Sequence, residues 1–399
     1  MTKFLFFNVP GYGHVNPTLP VVQELVHRGH KVVYYNTATF RPHVERTGAE
    51  FRPYSDLDVL PKHMTQMAEN LVNISNFLLS ESVRQVPFVL EQIEREQPDL
   101  VLYDSICLWG HQGAILANVP SIASHTTIIF EGVPGMLKAR DYVYAITQAV
   151  PHLPKLLRIK RKLIQSFGPQ IFPNKDIFPV VGDLNIQYTS RLFQPETEFI
   201  NGRFRHTGPS IQPNTRTPHT FPFDQLNDDP VVYISMGTIH QQTAQFYRTC
   251  YQAFADFPAQ FVLALGQQLN PTDLGAAPAN FIVQPYVPQL ELLPKVDLFI
   301  THGGINSVQE GLYFGVPLLV VPQQMEQMLN GRLVAKHGAG VVLGKRPLPS
   351  VTPDLLKETV TNLLSDKTFA MAAHQIGDSF MDSGGYMKAV DEIIAFAPK

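Results

Sequence analysis

The sequence predicts an α/β protein built from two doubly wound domains joined near residue 215. Short apolar, β-branched or aromatic runs alternate with helical patterns through both halves of the chain. A proline-rich stretch with little to bury, TGPSIQPNTRTPHTFPF at 207–223, interrupts that alternation once. At 399 residues the chain also exceeds the usual size of one hydrophobic core.

In the first half the strand-like runs are KFLFFNV, KVVYYN, DLVLYD and PSIASH. Between them lie helical patterns such as LPVVQELVHRG, closed by Gly29, and VRQVPFVLEQIEREQ. Runs that are apolar throughout, rather than alternating, indicate a parallel sheet covered on both faces. The stretches from about Leu57 to Leu90 and from Gly132 to Ile171 read as more helical and are richer in methionine and aromatics. Past the prolines at 209, 213, 218 and 222 the pattern restarts with VVYISMG, FVLALG, FIVQPY, DLFITHGG, PLLVVP and AGVVLG. A cleft between two such domains is the natural place for a ligand.

Composition narrows the class. Hydrophobic residues make up 44% and charged residues 16%, as in soluble globular proteins. The balance of 31 basic against 34 acidic residues, net −3, gives no electrostatic footprint for nucleic acid or an anionic membrane. Cys107 and Cys250, each in an apolar stretch, read as buried small hydrophobes of a reducing cytosol. The apolar run in MTKFLFFNVPGYGH is too short for a signal peptide, and no later stretch could span a bilayer, so a cytoplasmic protein is expected.

The loop GYGHVNP at 11–17 follows the first strand and opens a helix. Gly11 and Gly13 match the start of a dinucleotide fingerprint, but Asn16, followed by Pro17, stands where its third glycine is needed. A nicotinamide-dependent oxidoreductase is therefore poorly supported. His14 lies at the carboxyl end of the first strand, where α/β sheets place ligands, although a lone histidine there can simply serve the turn. Asp104 ends the strand DLVLYD on the same edge of the sheet. A carboxylate so placed can bond one imidazole nitrogen, fix the tautomer and leave the other nitrogen as a base.

In the second half, THGGINSVQEG at 301–311 crowds polar residues into a strand-to-helix junction. No lysine or arginine occurs between Lys295 and Arg332, so an anion bound here must be held by backbone amides, His302 and the helix start. Gly303 and Gly304 let the backbone approach closely, and Asn306 and Ser307 add short donors. The simpler account is a capping box, with Ser307 and Glu310 bonding each other's amides. That account leaves His302, the glycine pair and Asn306 without a task. A carboxylate one turn into the helix also suits ribose hydroxyls. Tyr286, at another strand end, could stack a base, and Glu326 and Gln327 could grip sugar hydroxyls.

Taken in order, YVPQ…THGGINSVQEG…GVP…P…EQ over 286–327 resembles the donor-binding signature of family 1 UDP-dependent glycosyltransferases. GHVNP, the strand-end Asp104 and the late SGGYMKAVDEI also look like this family, in its bacterial macrolide and flavonoid branch, so the resemblance covers essentially the whole chain. It implies the GT-B fold, two Rossmann-like domains facing across a cleft. The boundaries become 1–206 for an acceptor-binding domain, 207–223 for the linker, 224–380 for a UDP-sugar domain and 381–399 for a helix returning to the first domain.

The resemblance assigns His14 as catalytic base and Asp104 as its orienting partner. Tyr286 would stack on uracil, with Val287 and Gln289 at its edge. His302, Gly304, Asn306 and Ser307 would hold the diphosphate, Glu310 the ribose, and Glu326 with Gln327 the sugar, while Ser235 and Thr238 line the phosphate side. Plant members carry tryptophan where this chain has Tyr286, which leaves nucleobase preference open. The implied reaction is inverting transfer of a sugar, glucose by resemblance, from a UDP-sugar to a hydroxyl of a small apolar phenolic, flavonoid or macrolide acceptor. No cofactor or metal is implied, and the metal-site pattern DLD at 56–58 reads as a solvated turn away from every nucleotide feature. A non-catalytic nucleotide-sugar binding protein is the alternative, but mere binding needs no base. Met64, Met67, Phe77, Leu78, Phe130 and Tyr142 fit an apolar acceptor chamber or ordinary core packing equally.

Overall fold

The computed structural model describes residues 1–55, 57, 71–173, 177–216, 219–237, 243–266, 269–344 and 351–398. Met64, Met67, Asp56, Asp58 and Thr238 lie outside the described residues. The chain divides into two compact units: Met1–Arg216 with Ser383–Lys399, and Thr217–Asp382.

In the first unit the described strands are β1 (Lys3–Phe7), β2 (Lys31–Asn36), β3 (Glu50–Pro53), β4 (Leu100–Asp104), β5 (Ser121–His125), β6 (Leu184–Gln187) and β7 (Phe204–His206). They pair in parallel in the order β3-β2-β1-β4-β5-β6-β7. The continuous apolar runs follow from the period of two along a strand. Leu5, Phe7, Val33, Tyr35, Val101 and Tyr103 face one core with the helices Leu71–Glu96 and Leu108–Ala117. Their neighbours Phe4, Phe6, Val32, Tyr34, Leu100 and Leu102 face the other core. Burying each such side chain contributes about 1.5–3 kcal/mol, so both faces hold the sheet. The helices Leu71–Glu96 and Leu108–Ala117 approach closely at Gly113, where an added Cβ would stand 2.3 Å from Val89 Cγ1.

The last helix, Gly385–Phe396, completes the second of those cores: Ala389, Val390 and Ile393 pack with Val21, Val22 and Leu25 of the helix Thr18–His27. Arg28 pairs with Asp391 at 2.6 Å and Arg205 with Glu392 at 3.0 Å. These pairs are solvent-facing and worth at most about 1 kcal/mol each, so the apolar contact carries the docking.

Strands β8 (Val231–Ser235), β9 (Gln260–Ala264), β10 (Phe281–Gln284), β11 (Leu298–Thr301), β12 (Leu318–Val320) and β13 (Gly340–Val342) form the sheet of the second unit. All pairings are parallel, in the order β10-β9-β8-β11-β12-β13. One of its faces is filled by the helices Thr243–Phe254 and Pro353–Ser365, with Phe254, Phe261 and Phe281 stacked in sequence at 4.5 and 4.8 Å. The strand order of each sheet reverses once, between β1 and β4 and between β8 and β11, and doubly wound sheets bind ligands at such switch points. Cys107 and Cys250 are buried, free thiols. No helix among the described residues is long and apolar enough to cross a membrane.

Candidate active site

The switch point of the first unit carries the first polar centre. Beyond β1 the chain turns at Gly11, extended at φ −141° and ψ 132°, into the short helix Tyr12–Val15 that holds His14. Buried Asn8 fixes this turn by donating its Nδ2 to the His14 carbonyl at 3.1 Å and to the Tyr34 hydroxyl at 2.6 Å. Asp104 is the last residue of β4 and is wholly buried. His14 Nδ1 lies 3.0 Å from Asp104 Oδ2, while the imidazole keeps 19% of its side-chain surface exposed. A buried carboxylate demands donors. Asp104 Oδ1 accepts the amide of Ile106 at 2.9 Å, and Oδ2 accepts the hydroxyl of Thr126 at 3.1 Å. Thr126 Oγ1 is also 2.9 Å from His14 Nδ1.

The pairing of His14 with Asp104 was legible from their strand ends. Thr126 was not, because no motif marks it and only the strand order sets β5 beside β4, with Ser124 opposite Asp104.

The second centre lies at the β8/β11 switch point, where Thr301 pairs with Ser235. Gly303 takes the left-handed φ of +89°, and a Cβ there would stand 2.6 Å from Val320 Cγ1 and 2.9 Å from the Gln327 carbonyl. The helix Ile305–Tyr313 then begins with Gly304 as its N-cap and no side-chain cap. The capping box expected in SVQE is not formed: Ser307 is already inside the helix, one turn too late to cap it. Glu310 is buried and accepts Gln289 Nε2 at 2.6 Å, and Gln289 Oε1 accepts the Tyr233 hydroxyl at 3.2 Å. The helix start is thus left to backbone amides.

His302 is half-buried with its ring between two glycines. A Cβ at Gly237 would stand 2.9 Å from its Cε1, and one at Gly304 would stand 2.7 Å from its Nε2. Gly237, which sequence reasoning passed over, is therefore as necessary to the imidazole as Gly304. Asn306 and Ser307 in the first turn of the helix Ile305–Tyr313, Ser235 at the end of β8 and Val287 beyond β10 are half-buried. Wholly buried Asn330 donates Nδ2 to the Gly303 carbonyl at 2.9 Å and to Glu326 Oε1 at 3.3 Å, tying the exposed Glu326 to the glycine turn. Gln327 is buried, and its Oε1 accepts the amides of Gln323 and Gln324 at 2.8 and 3.1 Å, closing the start of the helix Met325–Lys336. Tyr286 stacks face to face on His219, with centroids 4.8 Å apart and planes 4° apart.

An imidazole on a buried carboxylate and an uncapped, glycine-hinged helix start are chemically complementary, one suited to a proton and the other to an anion. The chain is 35% identical over 397 residues to YojK of Bacillus subtilis, an uncharacterized UDP-glucosyltransferase, covering 99% of this chain and 97% of that one. The chain belongs to the family 1 UDP-dependent glycosyltransferases. NDP-glycosyltransferase YjiC of the same organism is also 35% identical, over 98% of this chain and 96% of its own. Residues 248–394 match the family described as erythromycin biosynthesis protein CIII-like, C-terminal domain. The crystal structure of the glycotransferase of kitacinnamycin superposes with a TM-score of 0.82 at 29% identity, covering 100% of this chain and 99% of that one. The fold is GT-B.

Two other histidines of this glycosyltransferase, His111 and His125, sit deep in the first unit and are pushed down to about 4 by burial. His111 Nδ1 meets the Tyr103 hydroxyl at 2.8 Å and His125 Nε2 meets Asn185 Oδ1 at 3.2 Å. Both are neutral core groups, and His27, 3.4 Å from Glu24, lies out on the surface, whereas His14 reaches solvent from a wholly buried carboxylate. Phe77 and Leu78 pack into the core under the sheet, whereas Tyr142 is 53% exposed.

Proposed function

We propose that this glycosyltransferase moves glucose from UDP-glucose to a hydroxyl of a small apolar acceptor, a phenolic, flavonoid or macrolide, with inversion at the anomeric carbon. The observation that carries the proposal is the 3.0 Å bond between His14 Nδ1 and buried Asp104. With Nδ1 protonated toward the carboxylate, the basic lone pair belongs to Nε2. The acceptor hydroxyl gives its proton to Nε2 as its oxygen attacks the anomeric carbon. The bond from that carbon to the diphosphate breaks, and UDP leaves with the electron pair. An α-linked donor then yields a β-glycoside. Asp104 stabilises the imidazolium that forms without itself taking the proton.

Charge building on the leaving diphosphate meets the start of the helix Ile305–Tyr313 and His302. A helix start supplies oriented amides and about half a positive charge, so no metal is required in this reading. Tyr286 would take the base, with Val287 and Gln289 at its edge, and the ribose would bond Glu310 in exchange for its contact with Gln289. Glu326 is the side chain offered to the sugar. Gln327 would serve chiefly by fixing the backbone on which Glu326 stands. The macrolide class is supported by the erythromycin-type match over residues 248–394. A cytoplasmic location accords with two free thiols and no disulfide to form.

The test is a matrix of nucleotide sugars against phenolic and macrolide acceptors, scored by UDP release and product mass with and without exhaustive chelation. Transfer that survives chelation supports the reading. Binding of UDP-sugars with no product from any acceptor would leave a binding protein instead, and loss of turnover on chelation would overturn the metal-free mechanism.

A further inference from the structure

We propose that Thr126 is a positioning residue that fixes the tautomer of His14, an inference that rests on reading His14 as the base. Three atoms stand in a triangle: His14 Nδ1 to Asp104 Oδ2 at 3.0 Å, His14 Nδ1 to Thr126 Oγ1 at 2.9 Å, and Thr126 Oγ1 to Asp104 Oδ2 at 3.1 Å. The ring nitrogen and the hydroxyl supply at most one proton each, so the three edges cannot be satisfied arbitrarily.

Two arrangements compete. In the first, the Thr126 hydroxyl and the Nδ1 hydrogen both donate to Oδ2, and the lone pairs of Oγ1 face the Nδ1 hydrogen. Every edge of the triangle is then attractive. In the second, the hydroxyl donates to an unprotonated Nδ1. The nitrogen lone pair then faces an ionised oxygen, and the wholly buried carboxylate keeps only the Ile106 amide among these donors. Removing donors from a buried charge is expensive, so the first arrangement prevails. It keeps the proton on Nδ1 and the lone pair on Nε2, where the acceptor hydroxyl must be met.

The hydroxyl also prepares the second half of the step. When the imidazole becomes a cation, the Nδ1 hydrogen points at a carboxylate oxygen and a hydroxyl lone pair already in place, so no group has to turn. Thr126 is itself 4% exposed and follows directly on β5, whose partner strand ends in Asp104, so the sheet holds the triangle rigid. Asp104 supplies the charge, and Thr126 orients the proton it attracts.

The experiment compares Thr126→Val, which keeps the shape and removes the hydroxyl, with Thr126→Ser, which keeps the hydroxyl. Nitrogen-15 spectra of the imidazole rings read the tautomer in the resting protein, and the His14 signal is the one missing from His14→Gln. Wild type and Thr126→Ser should show Nδ1 protonated, and Thr126→Val should show a mixture of tautomers. For sugar transfer, Thr126→Val should lose about ten- to a hundredfold in kcat with the donor KM unchanged, the size of one hydrogen bond to a charged group, while Thr126→Ser stays within about threefold. If the valine variant does not fold, Thr126→Ala, which frees space rather than filling it, makes the same comparison. A hydroxyl-free variant with a wild-type tautomer and kcat would overturn the inference, as would a serine variant damaged as badly as the valine one. A tautomer shift in a protein that turns over no nucleotide sugar would support the assignment of Thr126 while removing the catalytic reading of His14.

Discussion

Substituting Gly304 by alanine isolates what the glycine turn does for an anion. At φ −59° and ψ 135° Gly304 has a backbone that any residue adopts, so alanine costs no conformational strain there. Its methyl would instead stand 2.7 Å from His302 Nε2 and 3.2 Å from Cε1, which forces the ring aside. The ring is the end of a side chain, so it yields cheaply, and stability should stay within about 1 kcal/mol of wild type. What would be lost, if His302 holds the diphosphate as proposed, is the placement of one donor. A charge-assisted hydrogen bond of that kind is worth about 1.5–3 kcal/mol, or about ten- to a hundredfold in affinity. His302→Ala should lose a similar amount. Because both changes act on one ring, the double variant should be no worse than His302→Ala, giving a coupling as large as either single effect. Titration calorimetry with UDP on the four proteins measures the cycle, and thermal melts check that each is folded. Additive losses, or UDP affinity unchanged per folded molecule, would refute the idea that His302 holds the diphosphate.

His14→Ala should abolish transfer with near-normal UDP affinity, since His14 belongs to the first unit and the donor loops to the second; turnover beside calorimetry checks this, and retained turnover removes the base. Asp104→Asn should cost less than losing His14, because it disturbs tautomer and charge while leaving the imidazole present. His219→Ala uncovers a face of Tyr286 and should tighten UDP by about two- to tenfold, the worth of one aromatic stack, with weaker binding meaning that the base uses the other face. His111 and His125 bind protons in the unfolded chain near pH 6.5 but only near 4 when folded, so the unfolded state holds more protons between those values and stability falls as pH drops. Thermal melts at pH 7 and pH 5 should show that loss, and His125→Asn should flatten it.

The parts of the fold legible in sequence were those whose strands are apolar on both faces. KVVYYN reads as a strand because Val32 and Tyr34 bury on one side and Val33 and Tyr35 on the other. β3, β6 and β7 escaped. β3 is a short edge strand ending in Pro53, and β7 is another short edge strand. β6 is internal, but it carries Asn185 and Gln187, both wholly buried and hydrogen-bonded to His125 and to Gln194. A buried polar residue satisfied by a distant partner looks like a loop residue until that partner is known. The same cause hid Thr126, Gly237 and Asn330 from the site, for each is defined by what stands opposite it. The motif residues were visible because helix starts and strand ends are local. Apart from the His14–Asp104 pair their bonds were not, and SVQE misled for that reason: the letters fit a cap, but the turn at Gly303 starts the helix before Ser307.

The two sheets share one strand order up to their switch points, so corresponding strands deliver different chemistry from the same place. β4 and β11 occupy equivalent positions, each beside the first strand of its unit. β4 ends in Asp104, a buried negative charge that attracts a proton to His14 and would repel a diphosphate brought to the same edge. β11 ends in Thr301, neutral and buried, followed by a glycine turn and an uncapped helix start that favours an anion. On the proposed function, the two strand ends would divide the labour in this way. If the diphosphate binds as proposed, a carboxylate at Thr301 would put like charge beside it, and replacing Asp104 would leave His14 without the carboxylate bonded to its Nδ1. The sheet supplies the position in both units; a buried carboxylate stands at one strand end and a neutral threonine before a glycine turn at the other.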